Sequence, residues 1–241
     1  MKVLLTGSNG FLGQYLSNFL AEKGYSVVAH TRKAQTFDHP NIHNISFDLN
    51  DNLDNIDLSE VEDIIHCAGR AHVMNETAAS PLEAYRQTNV QGTLNLAHKA
   101  VKSGVKRFIY LSSIKVNGEQ TTTQAFCAND DVHTDDPYGL SKYEAEQALL
   151  ALSQRTGLEV VIIRPVLIYG PNVKANFKSM VNLASKKIPL PIGCLDNKRS
   201  MVSVYNLADL IHTCMTHPNA NREVFLASDQ DDISVKQLFE K

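Results

Sequence analysis

Cysteine is scarce in this 241-residue chain and never closely spaced. Cys67, Cys127, Cys194 and Cys214 form no C-x-x-C pair and have no histidine at ligand spacing, so neither a disulfide framework nor a zinc site is signalled. The nine histidines show no metal-like pairing, and no metal is expected. Long apolar runs are also missing. Lys2–Leu5 begins like a signal peptide, but Gly7, Ser8, Asn9 and Gly10 interrupt it, and no other stretch approaches transmembrane length. Positive charge is not in excess: 23 Lys and Arg stand against 26 Asp and Glu, a net charge of −3 spread along the chain. Nucleic acid and anionic membranes are therefore poor candidate partners. Together these absences lead to the expectation of a reducing, cytoplasmic setting. What remains is a 43% hydrophobic, 20% charged composition, in a chain long enough to bury roughly three quarters of its unfolded surface.

The chain alternates short β-rich runs with helical periodicity, the pattern of βαβ units and a mostly parallel sheet. Strands are predicted at Lys2–Leu5, Ser26–Ala29, Asn44–Phe47, Asp63–His66, Arg107–Leu111 and Val160–Arg164, all largely apolar, as strands covered on both faces should be. One helix is read from Phe11, Leu12, Tyr15, Leu16, Phe19 and Leu20, and a second from Tyr85 to Val101. A third starts at Asp136-Pro137 and ends at Gly157. The fold class is thus α/β, a Rossmann-type doubly wound parallel sheet over residues 1–165. Past Arg164 the alternation loosens among prolines and glycines. A small lobe is expected from 166–198 and 218–241, with 199–217 packing back on the first domain. Helices are expected at Asn176–Lys187 and Asn206–His217 and a strand at Ser200–Val204. An amphipathic helix starting at Ile233 meets Lys241 with no stop signal, so a lobe cut short is expected.

Chemistry-bearing residues cluster after the strands. Gly7, Gly10 and Gly13 follow the first strand and open the first helix, with Asn9, Phe11 and Leu12 between them. Glycine there permits a sharp turn and close backbone approach to a pyrophosphate, while the helix N-terminus favours the anion. The turn predicts dinucleotide binding. After the second strand, where a carboxylate would accept bonds from the ribose of NAD, stand Arg32 and Lys33. They favour the 2′-phosphate of NADP, although two basic loop residues are also what a solvated surface provides. Asp48-Leu49 after the third strand is placed for the adenine amino group, and Ala68-Gly69 after the fourth allows close approach.

Tyr138 and Lys142 lie four apart at the start of a helix, on one face. Ser112 and Ser113 follow the fifth strand, at the edge where ligands bind in such sheets. A phenol near pKa 10 needs a nearby cation to ionise at neutrality, which Lys142 and an oxidised nicotinamide ring would supply. These segments, with Asn89-Val90-Gln91-Gly92-Thr93, Arg164-Pro165 and Tyr169-Gly170-Pro171, resemble the extended short-chain dehydrogenases/reductases of the NAD-dependent epimerase/dehydratase family. The resemblance implies Tyr138 as acid/base, Lys142 as ribose ligand and modulator of the Tyr, and Ser113 as hydrogen-bond partner of the reacting oxygen. It adds Asn89 and Pro165 to the cofactor contacts.

The likeness is nearest to bacterial C4 epimerases of UDP-N-acetylhexosamines and to the C4 ketoreductases of UDP-4-keto-6-deoxy sugars, through segments 112–119, 173–177 and 198–202. It implies that Asn176 touches the sugar nucleotide and Arg199 its diphosphate, with Ser112, Ser113 and Tyr138 also facing substrate. Sugar-nucleotide 4,6-dehydratases carry Asp-Glu after the active-site hydroxyl residue; here Ile114 and Lys115 stand there, which disfavours dehydration. A homodimer through 80–102 and 137–155 is implied as well. Three readings stay open: a C4 epimerase on a UDP-sugar, an NAD(P)H-dependent C4 reductase, and a non-catalytic dinucleotide-binding protein.

Overall fold

The computed structural model describes residues 1–71, 80–132, 134–173, 197–234 and 236–237. Seven strands form one sheet: β1 Lys2–Thr6, β2 Ser26–Thr31, β3 Ile42–Ser46, β4 Asp63–His66, β5 Arg107–Leu111, β6 Glu159–Pro165 and β10 Val224–Ala227. Their spatial order is β10-β6-β5-β4-β1-β2-β3, and every pairing is parallel. Alternation within strands sorts the core into two halves. Val3, Leu5, Val27, Ile65, Ile109, Val161 and Ile163 face helices α1 (Phe11–Glu22) and α5 (Val204–Thr216). Leu4, Ile64, Phe108, Tyr110, Val160 and Ile162 face the opposite layer, which contains α3 (Gly92–Lys102) and α4 (Pro137–Thr156). This is a doubly wound sheet with helices on both faces.

Helix ends follow the chemistry of their termini. Asp136 caps α4 by accepting from Gly139 N at 3.1 Å, Pro137 fills the first turn, and Gly157 closes it at φ +78°. The second expected helix is not uniform. A short α2 (Pro81–Tyr85) leads into a π-helical turn, Arg86–Gln91, before α3 resumes. Such bulges cluster at functional sites.

Two expectations for the C-terminal part are corrected. Val224–Ala227, assigned to the lobe within 218–241, instead pairs with Ile162–Pro165 and completes the main sheet, because its backbone groups satisfy the open side of β6. Ile233–Ser234, expected to start a helix, is strand β11 and pairs antiparallel with β8 (Lys198–Arg199), and among the described residues that follow, helix appears only at 236–237. The remaining small strands β7 (Leu167–Tyr169) and β9 (Met201–Ser203) pair in parallel. Asp229 joins them: it accepts from Tyr169 OH at 2.9 Å and from Ser203 N at 2.9 Å, and from Asn206 Nδ2 at 2.8 Å in α5. Helix α5 packs against α1 and the sheet through Leu207, Ala208 and Ile211. The helix expected at 176–187 lies outside the described residues.

One buried group opposes stability. Asp63 opens β4 with Oδ2 buried and lacking a hydrogen-bond partner. Burial pushes its pKa up from 3.8 to about 6, against the pull of Arg107. The folded state therefore binds this proton more tightly than the unfolded chain, and stability is lost as pH rises between 3.8 and about 6 and stays lost above. Asp63→Asn is expected to gain about 2 kcal/mol at pH 8 and little at pH 4, read by urea denaturation at both values. Equal midpoints at pH 8 would refute the assignment.

Candidate functional site

The strand order reverses between β1 and β4, which opens a crevice at their carboxyl ends. A buried chain of polar side chains stitches it: His66 Nδ1 meets Thr6 Oγ1 at 2.7 Å, and His66 Nε2 meets Thr93 Oγ1 at 2.9 Å. Ala68 N also donates to Thr6 Oγ1 at 3.1 Å. Burial, aided by the Lys142 charge, holds the His66 pKa well below its ordinary value, so the ring stays neutral. His66 is thus a satisfied strand-end residue.

The glycine turn forms one wall. Gly7 has φ +72°, and a Cβ there would stand 2.8 Å from Ala68 N. A Cβ on Gly13 would stand 2.8 Å from the carbonyl carbon of Gly7, closer than real contacts allow. These positions hold β1, α1 and the segment after β4 in mutual backbone contact. Gly10 caps α1 with no side-chain hydrogen bond, and no acidic residue lies in the first turn, so no protein anion competes for the first N–H groups. The turn thus fits a pyrophosphate. Arg32 and Lys33 are exposed beyond β2, and among the described residues neither has a hydrogen-bond or ion-pair partner for its side chain. Asp48 is half-buried and accepts from Asn50 N at 2.9 Å and Asn50 Nδ2 at 3.0 Å, both through Oδ1.

The opposite wall carries the ionisable groups. Ser113 caps the 3-10 turn Ile114–Val116, its Oγ accepting from Lys115 N at 3.2 Å. Its hydroxyl also stands near enough to Tyr138 to ease ionisation of the phenol. Burial pushes the Tyr138 phenol up to about 12, Ser113 opposes this, and Asp136 and Tyr85 add to it. Lys142, one turn along, is buried; its Nζ donates to Leu111 O at 2.8 Å and sits 4.5 Å over the Tyr110 ring. Burial brings its pKa down to about 8, while Cys67 and Glu146 hold it up. The hydroxyl of Ser112 is buried and has no hydrogen-bond partner among the described residues.

Most of the sequence-derived residues line this edge, but several differ in what they offer. Leu12 and Leu49 are core side chains and present only backbone groups to the crevice. Asn89, expected to touch the cofactor, sits in the π-helical turn with its amide committed. Nδ2 donates to Arg70 O and Ser141 Oγ at 3.0 Å each, and Oδ1 accepts from Arg70 N at 2.7 Å. It is a brace between the segment after β4 and α4. Pro165 is buried opposite Ala227, and half-buried Phe11 lies near Gly170. Arg199 is exposed on β8, while Asn176 lies outside the described residues. Sequence reasoning missed Tyr85, whose ring is 5.9 Å from that of Tyr138, and Tyr110 beneath Lys142. Both read as ordinary apolar positions of a helix and a strand, and only the fold turns them toward the site.

Among the described residues, no helix is long and apolar enough to cross a membrane, and no group of His, Cys, Asp and Glu can hold a metal ion. The family model described as NAD dependent epimerase/dehydratase family matches residues 3–227. A UDP-glucose 4-epimerase of Vibrio cholerae is 49% identical over 240 residues, spanning 98% of this chain and 73% of that protein. An N-acetyl-alpha-D-glucosaminyl-diphospho-ditrans,octacis-undecaprenol 4-epimerase of Escherichia coli O157:H7 is 29% identical over 244 residues, 98% of this chain and 70% of that one. Among solved structures, the Thermotoga maritima UDP-glucose 4-epimerase with UDP-glucose superposes with a TM-score of 0.84 at 25% identity, covering 100% of this chain and 81% of that chain.

Proposed function

The chain belongs to the NAD-dependent epimerase/dehydratase family of enzymes, and from that membership we propose that it is a nucleotide-sugar 4-epimerase acting on a UDP-hexose or UDP-N-acetylhexosamine. The observation that carries the reading is that Tyr138 stands close enough to Ser113 for its ionisation to be eased by that hydroxyl, one helical turn from buried Lys142 and across the crevice from the glycine turn. Bound NAD would supply a hydride acceptor for C4 of the sugar and return the hydride to the opposite face. The glycine turn would hold its pyrophosphate and Lys142 its ribose. Tyr138 exchanges the proton on the C4 oxygen, and Ser113 hydrogen-bonds that oxygen. With its phenol at about 12, Tyr138 is by itself a proton donor; accepting a proton near neutrality requires cationic neighbours. Arg199 would meet the diphosphate, and Asn176 the sugar. The lobe of 166–198 and the strands β8 and β11 would cover the substrate, and a second copy would dock through α2, α3 and α4.

A second reading, the NAD(P)H-dependent C4 reductase, is favoured by one observation: the basic Arg32 and Lys33, exposed where a ribose-binding carboxylate would stand and without a partner among the described residues. The two are separated in one experiment. The chain is incubated with UDP-glucose, UDP-GlcNAc or UDP-GalNAc and NAD, and in parallel with a UDP-4-keto-6-deoxy sugar and NADPH. C4 interconversion in the first set is expected. Turnover only in the second would replace the epimerase by the reductase, and none in either would remove the enzymatic reading of the site. Under the reductase reading, Arg32→Ala should weaken NADPH binding far more than NADH binding.

A further inference from the structure

Below Lys142 on the same face of α4 lies Glu146, 1% exposed, paired with Arg164 of β6, 4% exposed. The contact is bidentate: Arg164 Nε donates to Oε1 at 3.0 Å and Nη2 to Oε2 at 2.6 Å. Arg164 Nη1 also donates to Asn117 Oδ1 at 3.0 Å and to Ala128 O at 3.4 Å, and Asn117 Nδ2 donates to Cys127 O at 2.8 Å. One guanidinium therefore joins α4, β6 and the segment that runs on from Ser113. An apolar pair of similar volume would fill the same space at equal or lower free energy, so the fold itself does not call for buried charges here.

We propose that Glu146, held by Arg164, is a positioning residue for Lys142: it supplies the buried negative charge one helical turn from the ammonium and ties the turn that carries Lys142 and Tyr138 to the segment that carries Ser113. The other groups around Lys142 leave this role open. His66 on β4 is neutral; Cys67 supports the ammonium only as a thiolate, and burial pushes its thiol up to about 12; and Tyr110 on β5 offers only its ring face. The Leu111 carbonyl is a dipole and Asn89 is uncharged. Glu146 is the carboxylate left to balance an ammonium that burial destabilises. Arg164 in turn, through its bidentate contact, stops Glu146 from swinging up to bond Lys142 directly, which would withdraw the ammonium from Leu111 O.

The inference deepens the proposed reading by naming what keeps Lys142 charged, yet it can be read without turnover. Lysines are labelled at 13Cε in the full chain and titrated by NMR, with Lys142→Met identifying the resonance. The parent is expected to titrate near 8. Glu146→Gln should lower that midpoint by about one unit, the effect of one close opposite charge. Because an unpaired buried Arg164 threatens folding, the double variant Glu146→Gln/Arg164→Gln, whose amides retain a hydrogen bond, is titrated alongside; its midpoint should fall by less than that of the single variant, because the Arg164 charge that disfavours the ammonium is removed with the carboxylate. A parent midpoint that persists in every folded variant overturns the proposal. If the alkaline limb of kcat/KM moves down with the NMR midpoint, Lys142 serves the reaction in its charged form. If the midpoint moves but the parent turns over no sugar nucleotide, the positioning role stands and the functional reading falls.

Discussion

Tyr138→Phe is expected to bind NAD as the parent does and to lose turnover by about 10²–10⁴-fold, the usual worth of a positioned acid/base. Only one oxygen is removed. The ring keeps its place in the first turn of α4 and its 5.9 Å contact with Tyr85, and the cap from Asp136 to Gly139 N is untouched. Ser113 Oγ keeps its bond from Lys115 N, so melting should show little shift. Calorimetric titration with NAD, a melting curve and a turnover assay separate these effects. A variant with full activity would remove Tyr138 from the chemistry, whereas a variant that fails to bind NAD would show that the phenol holds the cofactor.

Gly13→Ala is expected to damage the fold and the cofactor site together. The added methyl meets the Gly7 carbonyl group, 2.8 Å from its carbon, and stands 2.8 Å from Ser8 Cα. Both neighbours are backbone. They cannot rotate aside as a side chain would, and Gly7 is itself pinned at φ +72° against Ala68 N and Cys67 C. Relief requires α1 to move away from β1, at about 3 kcal/mol for overpacking a site this tight. For a chain of this size that lowers the melting temperature by roughly 10 °C. NAD binding should fall in parallel, because the same movement displaces the first N–H groups of α1. Gly24→Ala is the control: its Cβ meets nothing within 4 Å, so only the cost of φ +88° applies and NAD binding should be retained. Equal affinity for NAD in Gly13→Ala and the parent would refute the role of the turn.

The sheet was legible because its central strands are buried on both faces and largely apolar: Arg107–Leu111 and Asp63–His66 agree to the residue between sequence and structure. Helix α4 was legible for a different reason. It buries Ser141, Lys142, Glu146 and Ser153 along with its apolar residues, so its hydrophobic stripe is weak, but Asp136-Pro137 and Gly157 mark both ends. The π-helical turn was invisible because the spacing from Tyr85 to Val101 suits one continuous helix, and the extra residue is accommodated by tertiary bonds from Asn89 to Arg70 and Ser141. Strand β10 was missed because Val224–Ala227 is four residues long and follows a stretch with little alternation; its partner β6 lies far back in the chain. At the site, glycines and hydroxyl residues announce themselves by position after strands. The state of Lys142 does not, since it depends on Leu111 O, the Tyr110 face and the Glu146–Arg164 pair, which come from three different elements.

The pairing of β10 with β6 has a consequence for biosynthesis. Until residues 224–227 have been made, β6 presents an open parallel edge whose Val160–Ile163 side chains are entirely apolar, a template on which another nascent chain can add a strand. Residues 166–223 must be synthesised in that interval, so the window of exposure is set by translation and not by the speed of any local step. Arg222 adds a latch at the end of it: its backbone N donates to Val160 O at 2.6 Å, and its guanidinium reaches Ser153 on α4. The last strand of the sheet thus replaces a seven-residue edge by a four-residue one, and the hazard of aggregation is greatest in the interval before it arrives.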